Sequence, residues 1–333
     1  MSAGHKLYLG VDGGGTKTEA WVVDGEGRVR GRGHSGASNH QESSLDEAVR
    51  NVEDAIEKAV HASGLTVHDL THGVMGLAGA DFPEDVAALT DALAPRLGQL
   101  PFGIVNDAEA ALAGGARTGA GVAVVAGTGT NVVGRFRDGE RFQIGGLGYE
   151  LGDEGGGSDL VRQALHYAFR GAEGRGAPTL LSDLVLQVLG SGDFTDLARG
   201  LYFGRIAREE VHLLAPLVFM AARQGDQVAQ DLLFANGLKL GESAGAAVQK
   251  IETRDGPGVE VVLVGSLWLG PHPLLRDGFM VGLHRKVVEA DVHDPELPPP
   301  AGAVLMAAAA DGGAGCADVI REGLTRGRGQ DGR

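Results

Sequence analysis

Three consecutive glycines follow the first apolar run of the chain, within YLGVDGGGTKTEAWVVDGEG (Tyr8–Gly27). A glycine turn brings backbone N–H groups close to a ligand, because no Cβ blocks the approach, and successive N–H groups can bind phosphate oxygens. The apolar run EAWVVD ends at Asp24-Gly25 and reads as a second strand, whereas a P-loop or a dinucleotide fingerprint would lead into a helix. The turn is therefore predicted to join a hairpin that binds phosphate, with an ordinary tight turn as the alternative.

Polar side chains surround this turn. Thr16 and Lys17 would add hydroxyl and ammonium donors for a phosphate. Asp12 ends the first strand, where its carboxylate could hold Mg²⁺ through water.

The same pattern recurs later in the chain, in VAVVAGTGTNVVGRFRDGERF. Gly15-Thr16 returns as Gly129-Thr130 and Asp24-Gly25 returns as Asp138-Gly139, both displaced by 114 positions. Two coincidences at one displacement, around the same pattern of strands, indicate a duplicated domain. Two such turns facing each other across a cleft would offer many N–H groups to one polyanion, with Thr128 as a further donor.

Asp107 ends the predicted strand FGIVND and begins the helical run AEAAL. Aspartate is among the best helix N-caps, so capping is one interpretation. The other is catalytic, because ligands of α/β sheets bind at the carboxyl ends of the strands. A carboxylate there could accept the proton of a hydroxyl that attacks a γ-phosphate.

Two polar loops are candidate contacts for a hydroxylated substrate. GLGYELGDEGGGSD (146–159) contains Asp153, whose carboxylate could accept hydrogen bonds from hydroxyl groups, although its acids could also favour the positive end of a following helix, with Ser158 as the cap. SGASNH (35–40) offers Asn39 and His40 after a strand.

Strands and helices alternate after the opening hairpin, which predicts an α/β fold with a mixed sheet. We expect an N-terminal domain at 1–117 and a second domain at 118–300, with a helical insertion at about 157–250. A closing helix at about 301–320 would return to the first domain. The terminal TRGRGQDGR is expected to be disordered.

Composition excludes several classes of protein. The net charge of −15 disfavours a nucleic-acid partner, since phosphate neutralisation needs clustered Lys and Arg. A single cysteine, Cys316, forms no intrachain disulfide and fits a reducing compartment. The longest apolar stretch, AGAVLMAAAA, is shorter than the roughly 20 residues of a membrane span, so we expect a cytoplasmic protein without a membrane partner.

Five motifs in order carry a family resemblance: DGGGTKTE, NDAEAAL, AGTGTN, LGDEGGGSD and VVLVGSLW. Together they resemble the N-acetylglucosamine kinase family, within the BadF/BadG/BcrA/BcrD-type group of the actin/hexokinase/Hsp70 ATPase superfamily, from Leu7 to about Ala310. The resemblance implies duplicated ribonuclease H-like (actin-like ATPase) domains around a cleft, ATP and Mg²⁺ as cofactors, and a homodimer. It also implies transfer of the γ-phosphate of ATP to the 6-hydroxyl of N-acetylglucosamine.

The resemblance assigns roles residue by residue. Asp107 would be the catalytic base and Asp12 the Mg²⁺-associated carboxylate. ATP would contact Gly13, Gly14, Gly15, Thr16, Lys17, Thr128, Gly129, Gly265 and Ser266. The sugar would contact Asn39, His40, Asp107, Asn131, Gly146 and Asp153.

One departure concerns the choice of sugar. Leu147 and Tyr149 stand where the family carries a tryptophan and a histidine. Glucosamine, N-acetylmuramic acid and glucose therefore remain alternative acceptors. An ATPase that activates an acyl-CoA dehydratase is a further alternative, but such activators need paired cysteines for an iron–sulfur cluster.

Overall fold

Two five-stranded sheets form the framework in the computed structural model, which describes residues 6–207 and 214–331, with side chains to 327. The first sheet contains β1 (Leu7–Gly13), β2 (Thr18–Asp24), β3 (Val29–Ser35), β4 (His72–Leu77) and β5 (Phe102–Asn106). Its order is β3-β2-β1-β4-β5. The first three strands pair antiparallel, whereas β4 and β5 continue parallel to β1.

The second sheet repeats this arrangement. It contains β6 (Gly121–Ala126), β7 (Thr130–Arg135), β8 (Arg141–Ile144), β9 (Glu260–Val264) and β10 (Asp291–His293). Its order is β10-β9-β6-β7-β8, again with an antiparallel meander followed by two parallel strands. The predicted duplicated α/β fold is therefore confirmed.

Helices cover the first sheet on both faces. They are α1 (Leu45–Ser63), α2 (Pro83–Leu97) and α3 (Asp107–Gly115), with α10 (Pro299–Gly312) returning from the end of the chain. Ser44 caps α1 by accepting a hydrogen bond from Glu47 N–H, and the buried face of α1 (Val49, Val52, Ile56) packs on the sheet. This face lies in one core with α2, whereas α10 and the outer side of β1 form another.

Glycines allow α10 to lie directly against the strands. A Cβ on Gly10 would strike Pro300 O and Val304, and a Cβ on Gly302 would strike Ala110 O. The same residue type joins α8 to α9, where added Cβ atoms on Gly237 and on three further glycines, Gly241, Gly278 and Gly282, would strike the facing helix. These close approaches explain part of the high glycine content.

The segment predicted as a helical insertion consists mostly of helices. They are α4 (Gly157–Ala172), α5 (Leu181–Val188), α6 (Phe194–Tyr202), α7 (Ala215–Arg223) and α8 (Gln227–Asp255), and α9 (Leu274–His284) follows β9. The division into domains at 117 and 300 stays a prediction. None of the helices that the structure describes combines the length and apolarity needed to cross a bilayer.

The prediction of a disordered C-terminal tail is wrong for the residues described. A break at Gly313 is followed by α11 (Ala314–Asp331), and buried Ile320 and Leu324 anchor this helix on the first half of the chain. Gly323 lies against the Glu26 carbonyl so closely that a Cβ would clash. Tertiary contacts thus anchor α11 just before its glycine- and arginine-rich end.

Candidate active site

The two glycine turns lie opposite each other. In the first, Gly14 N–H donates to Lys17 O at 3.0 Å, and in the second Gly127 N–H donates to Gly129 O at 3.0 Å. The hydroxyl oxygens of Thr16 and Thr128 are 3.4 Å apart. Threonines from both halves of the duplication therefore meet at one point.

The second turn has its peptide groups oriented by α4. Gly157 N–H donates to Gly127 O at 2.9 Å, and Ser158 N–H donates to Thr128 O at 2.8 Å. In a trans peptide the N–H points opposite to the C=O, so the N–H groups of Thr128 and Gly129 face away from α4. The N-cap of α4 is Gly156, so the prediction of Ser158 as cap is wrong.

The glycines of these turns differ in their surroundings. Among the described atoms, a Cβ on Gly14 would meet only Lys17 O at 3.9 Å, and a Cβ on Gly129 would meet none within 4 Å. Gly13 instead lies against the Ser38 hydroxyl, with no room for a Cβ, and a Cβ on Gly15 would lie 2.6 Å from the Glu42 carboxylate. Gly14 and Gly129 therefore have the open space that a phosphate requires.

A cavity of about 910 Å³ extends from the facing turns. Thr16 and Thr128 lie at its polar end. Its other walls include Phe219 and Met220 of α7, together with Ser266, Leu269, Gly270 and Pro271. Pockets of several hundred Å³ with mostly apolar walls and few polar groups are typical of small-molecule sites. The donors and the apolar walls fit a triphosphate joined to a flat base.

Gly265 lies against the start of the second turn. It has φ +113° between β9 and the helical turn Ser266–Leu269, and a Cβ would strike Ala126 O. Ser266 lines the cavity directly. The predicted ATP contacts at these two positions thus lie beside the predicted phosphate turns.

Asp12 of β1 and Asp107, which follows β5, are half-buried carboxyl groups. Enclosure by protein, with the nearby Asp107 charge, raises the pKa of Asp12 to about 7, although the Lys17 ammonium opposes the shift. Enclosure likewise raises the pKa of Asp107 to about 6, and the Asp81 charge adds to the shift. Lys17 itself is exposed and pairs with Glu19 at 3.2 Å.

A divalent cation fits this acidic end in one way. Among the described residues no group of three His, Cys, Asp or Glu side chains could form a complete protein cage. Mg²⁺ commonly binds through one or two carboxylates, water and substrate phosphates, and Asp12 could supply such a carboxylate.

Asp107 is the first residue of α3, and Asn106 before it is the N-cap. The Asn106 Oδ1 atom accepts from Ala108 N–H at 2.9 Å, and Asp107 Oδ1 lies 2.8 Å from the same nitrogen. The interpretation of Asp107 as the N-cap is therefore wrong. Asparagine takes that role.

Asn39 and His40 lie beside the loop that follows β4. Asn39 Oδ1 accepts from Gln41 N–H at 3.1 Å, and the His40 Nε2 atom lies 3.2 Å from Asp85 Oδ1. Gly79, at φ +82°, gives them room, because a Cβ there would lie 2.6 Å from Asn39 Oδ1. The Nδ1 atom of His40 is buried and has no hydrogen-bond partner within the described part of the chain.

Asn131 and Gly146 lie in close contact with each other. A Cβ on Gly146, which has φ +81°, would lie 2.7 Å from Asn131 Oδ1. The Asp153 carboxylate accepts Gly146 N–H at 2.9 Å and Gly148 N–H at 2.5 Å, so both of its oxygens hold the loop. A sugar contact of Asp153 stays a prediction.

The sequence analysis missed several side chains here. Asp81 accepts from Asn106 Nδ2 at 2.8 Å and from Gln41 Nε2 at 3.1 Å, and Gln143 also bonds to it. Asn106 in turn accepts from Asn131 Nδ2 at 3.0 Å. The only available signal was the Asn-Asp pair at the strand end, and no motif marked the cavity walls of α7.

Comparisons with known proteins agree with this geometry. The chain is 31% identical over 251 residues to an N-acetylmuramic acid/N-acetylglucosamine kinase from Clostridium acetobutylicum, covering 75% of this chain and 82% of that protein. It is 27% identical over 256 residues to an N-acetyl-D-glucosamine kinase from Dictyostelium discoideum, with 74% and 80% coverage.

A solved structure is similar over nearly the whole chain. It is a candidate N-acetylglucosamine kinase from Chromobacterium violaceum, with a TM-score of 0.71 and 27% identity over 90% of this chain and 98% of that one. The family model described as the BadF/BadG/BcrA/BcrD ATPase family matches residues 9–307. The chain belongs to the BadF/BadG/BcrA/BcrD ATPase family.

Proposed function

We propose that this protein is an ATP-dependent kinase that transfers the γ-phosphate to the 6-hydroxyl of N-acetylglucosamine. The observation that carries the proposal is the meeting of Thr16 and Thr128 at 3.4 Å, at one end of a cavity large enough for a nucleotide. The names of the relatives, N-acetylglucosamine kinases among them, support the choice of acceptor. ATP would lie between the two halves of the duplication.

Asp107 would accept the proton of the attacking hydroxyl. Enclosure raises its pKa to about 6, which keeps it ionised at neutral pH yet basic enough to take a proton. Bound Mg²⁺, held on the side of Asp12, would offset charge on the phosphates. Threonine hydroxyls and turn N–H groups would orient the γ-phosphate, and closure of the cleft would exclude water that could otherwise hydrolyse ATP.

The loop that contains Leu147 and Tyr149 supports a related sugar as the second candidate for the phosphate acceptor. Leu147 and Tyr149 are both exposed, and the Arg162 guanidinium lies 3.5 Å from the centre of the Tyr149 ring. A Clostridium relative named for both N-acetylmuramic acid and N-acetylglucosamine shows that such kinases differ in acceptor. Glucosamine, N-acetylmuramic acid and glucose therefore belong in the test.

An activator-type ATPase is disfavoured by the cysteine count. A [4Fe–4S] cluster shared between two subunits needs about four thiolates. A homodimer, which we propose from the family resemblance, would supply one cysteine per chain. That residue, Cys316, lies 3.2 Å from the hydroxyl of buried Tyr8.

ADP release by the purified protein with ATP and Mg²⁺ tests the proposal. The acceptors are N-acetylglucosamine, glucosamine, N-acetylmuramic acid, N-acetylmannosamine and glucose, beside a control without sugar. We expect release to depend on N-acetylglucosamine, with phosphate on its 6-oxygen by mass spectrometry and NMR. Equal release with and without every sugar would contradict a sugar kinase, and preference for another member would replace the acceptor.

A further inference from the structure

We propose that Asn106 and Asp81 are positioning residues that fix the carboxamide of Asn131 as a hydrogen-bond acceptor for the substrate. This inference deepens the proposed function, on which its kinetic test rests. It starts from one atom. The Oδ1 atom of Asn131 is buried, in a residue that is 8% exposed, and finds no hydrogen-bond partner among the residues that the structure describes.

The direction of each hydrogen bond follows from Asp81, the acceptor at one end of the series Asp81, Asn106 and Asn131. An ionised carboxylate accepts hydrogen bonds and cannot donate them, so Asp81 requires the Nδ2 side of Asn106. Ala108 N–H independently requires the Oδ1 side of Asn106. Two fixed partners thus give the Asn106 carboxamide one orientation.

Asn106 then orients Asn131. Its Oδ1 accepts from Asn131 Nδ2 at 3.0 Å, which leaves Asn131 Oδ1 on the other side, next to Gly146. Asp81 also accepts hydrogen bonds from Gln41 and Gln143, which do not belong to this series. Because an unpaired buried carbonyl is costly, Oδ1 should favour a ligand that brings an N–H or O–H group.

The inference therefore predicts selection by donor and not only by shape. A hydroxyl or an acetamido N–H of the sugar would satisfy Asn131 Oδ1. A deoxy analogue would leave the oxygen unpaired and should be used about 10–100-fold less well, in kcat/KM.

Three variants separate positioning from general structure. Asn106→Leu removes the link, so we expect the KM of the accepted sugar to rise about 10–100-fold, with a smaller change in kcat and in the KM of ATP. Asn106→Asp keeps the two acceptor contacts but places a second carboxylate against Asp81, and it should also raise the sugar KM. Asn106→Asp combined with Asp81→Asn exchanges amide and carboxylate, and should return the sugar KM to within about threefold of wild type.

Monodeoxy forms of the accepted sugar complete the test. One of them should be discriminated against by wild type and by the double variant, and no longer by Asn106→Leu. The inference is overturned if Asn106→Leu retains that discrimination, if it lowers kcat alone, or if the double variant remains as impaired as Asn106→Asp.

A second readout is independent of catalysis. In ¹H–¹⁵N spectra, assigned with Asn131→Asp, the carboxamide protons of Asn131 should exchange slowly in wild type and in the double variant, and rapidly in Asn106→Leu. Equal exchange in all three proteins would overturn the positioning of Asn131 by Asn106 and Asp81, even if no sugar were phosphorylated. If exchange follows the prediction but no sugar yields ADP, the proposed function fails and the positioning of Asn131 stands.

Discussion

The two glycine turns occupy equivalent places in a duplicated sheet but differ in what surrounds them. The first joins β1 to β2 through Gly14–Lys17, and the second joins β6 to β7 through Gly127–Gly129. Half-buried carboxyl groups, Asp12 and Asp107, accompany the first. The second is backed by the start of α4 and opens onto apolar walls such as Phe219.

This difference indicates that the two halves of the duplicated fold have different roles. The N-terminal half supplies the groups that could move protons or hold a cation, and the C-terminal half supplies most of the cavity that suits a nucleotide. Neither half alone contains both sets. Substitutions in each half separate these contributions.

Replacing Asp107 by asparagine removes the proposed base and keeps the shape of the side chain. We expect kcat to fall by about 10²–10⁴, the usual contribution of a positioned base, because the attacking hydroxyl would lose its proton acceptor. Steady-state ADP release with the best acceptor measures the loss.

Nucleotide binding provides the control for this variant. The Kd of ATP by calorimetry should change little, because the carboxylate belongs to the other set of groups. Turnover close to wild type would show that another group accepts the proton.

Alanine substitutions at Gly129 and Gly13 should affect different properties of the protein. Gly129→Ala places a Cβ in open space, so we expect unchanged thermal stability and a KM for ATP raised by about 10–100-fold, through blocked approach of phosphate. Gly13→Ala places its Cβ on the Ser38 hydroxyl, which accepts a bond from Thr18 at 2.8 Å, and should lose about 1–3 kcal/mol of unfolding free energy.

Thermal melts and ATP kinetics distinguish these outcomes. Gly14→Ala is the matched control in the first turn, since its Cβ would also meet open space. It should resemble Gly129→Ala if both turns hold phosphate. A melting temperature that falls in all three variants would contradict the assignment of open space to ligand.

The succession of strands along the chain and the duplication could be predicted because both depend on local sequence patterns. Glycine turns after apolar runs and Asp-Gly pairs at one displacement indicate hairpins wherever they occur. The run AEAAL after Asp107 likewise indicated a helix, and α3 (Asp107–Gly115) contains it. Helix caps were less predictable, because Asn106 and Asp107 are both good capping residues and only geometry chooses between them.

Contacts between distant segments could not be predicted from these patterns. Asp81, Asn106 and Asn131 meet only because β4, β5 and β7 bring their ends to one place. The cavity wall of α7 depends on how a helix packs, and Met220 resembles any other apolar helical residue in the sequence. α11 persists because Ile320 and Leu324 find partners far away in the chain.

The pH dependence of activity should report the N-terminal carboxyl groups. A base must be ionised to accept a proton, and the pKa of Asp107 is raised to about 6, so its active form disappears as the pH falls through 6. We expect kcat/KM to be flat above about pH 7 and to fall about tenfold per unit well below pH 6. Initial rates at constant Mg²⁺ and saturating ATP measure this profile.

Asp81→Asn sharpens that test. The Asp81 charge contributes to the raised pKa of Asp107, so its removal should move the acidic limb to lower pH, by less than about one unit. A limb that moved to higher pH, or a wild-type profile that stayed flat to pH 5, would contradict the assignment of Asp107.

Leu269 tests the apolar wall of the C-terminal half. It is 83% exposed and yet lines the cavity, so a bound base would bury a side chain that contributes little to folding. Leu269→Ala should leave thermal stability unchanged and raise the KM of ATP by about 3–10-fold, as expected for the loss of partial apolar burial. Val288, which is 95% exposed and does not line the cavity, gives a matched control, since Val288→Ala should change neither quantity. Equal KM values in both variants would mean that the base lies elsewhere, whereas a rise confined to Leu269→Ala would assign nucleotide contact to the half of the molecule that lacks Asp12 and Asp107.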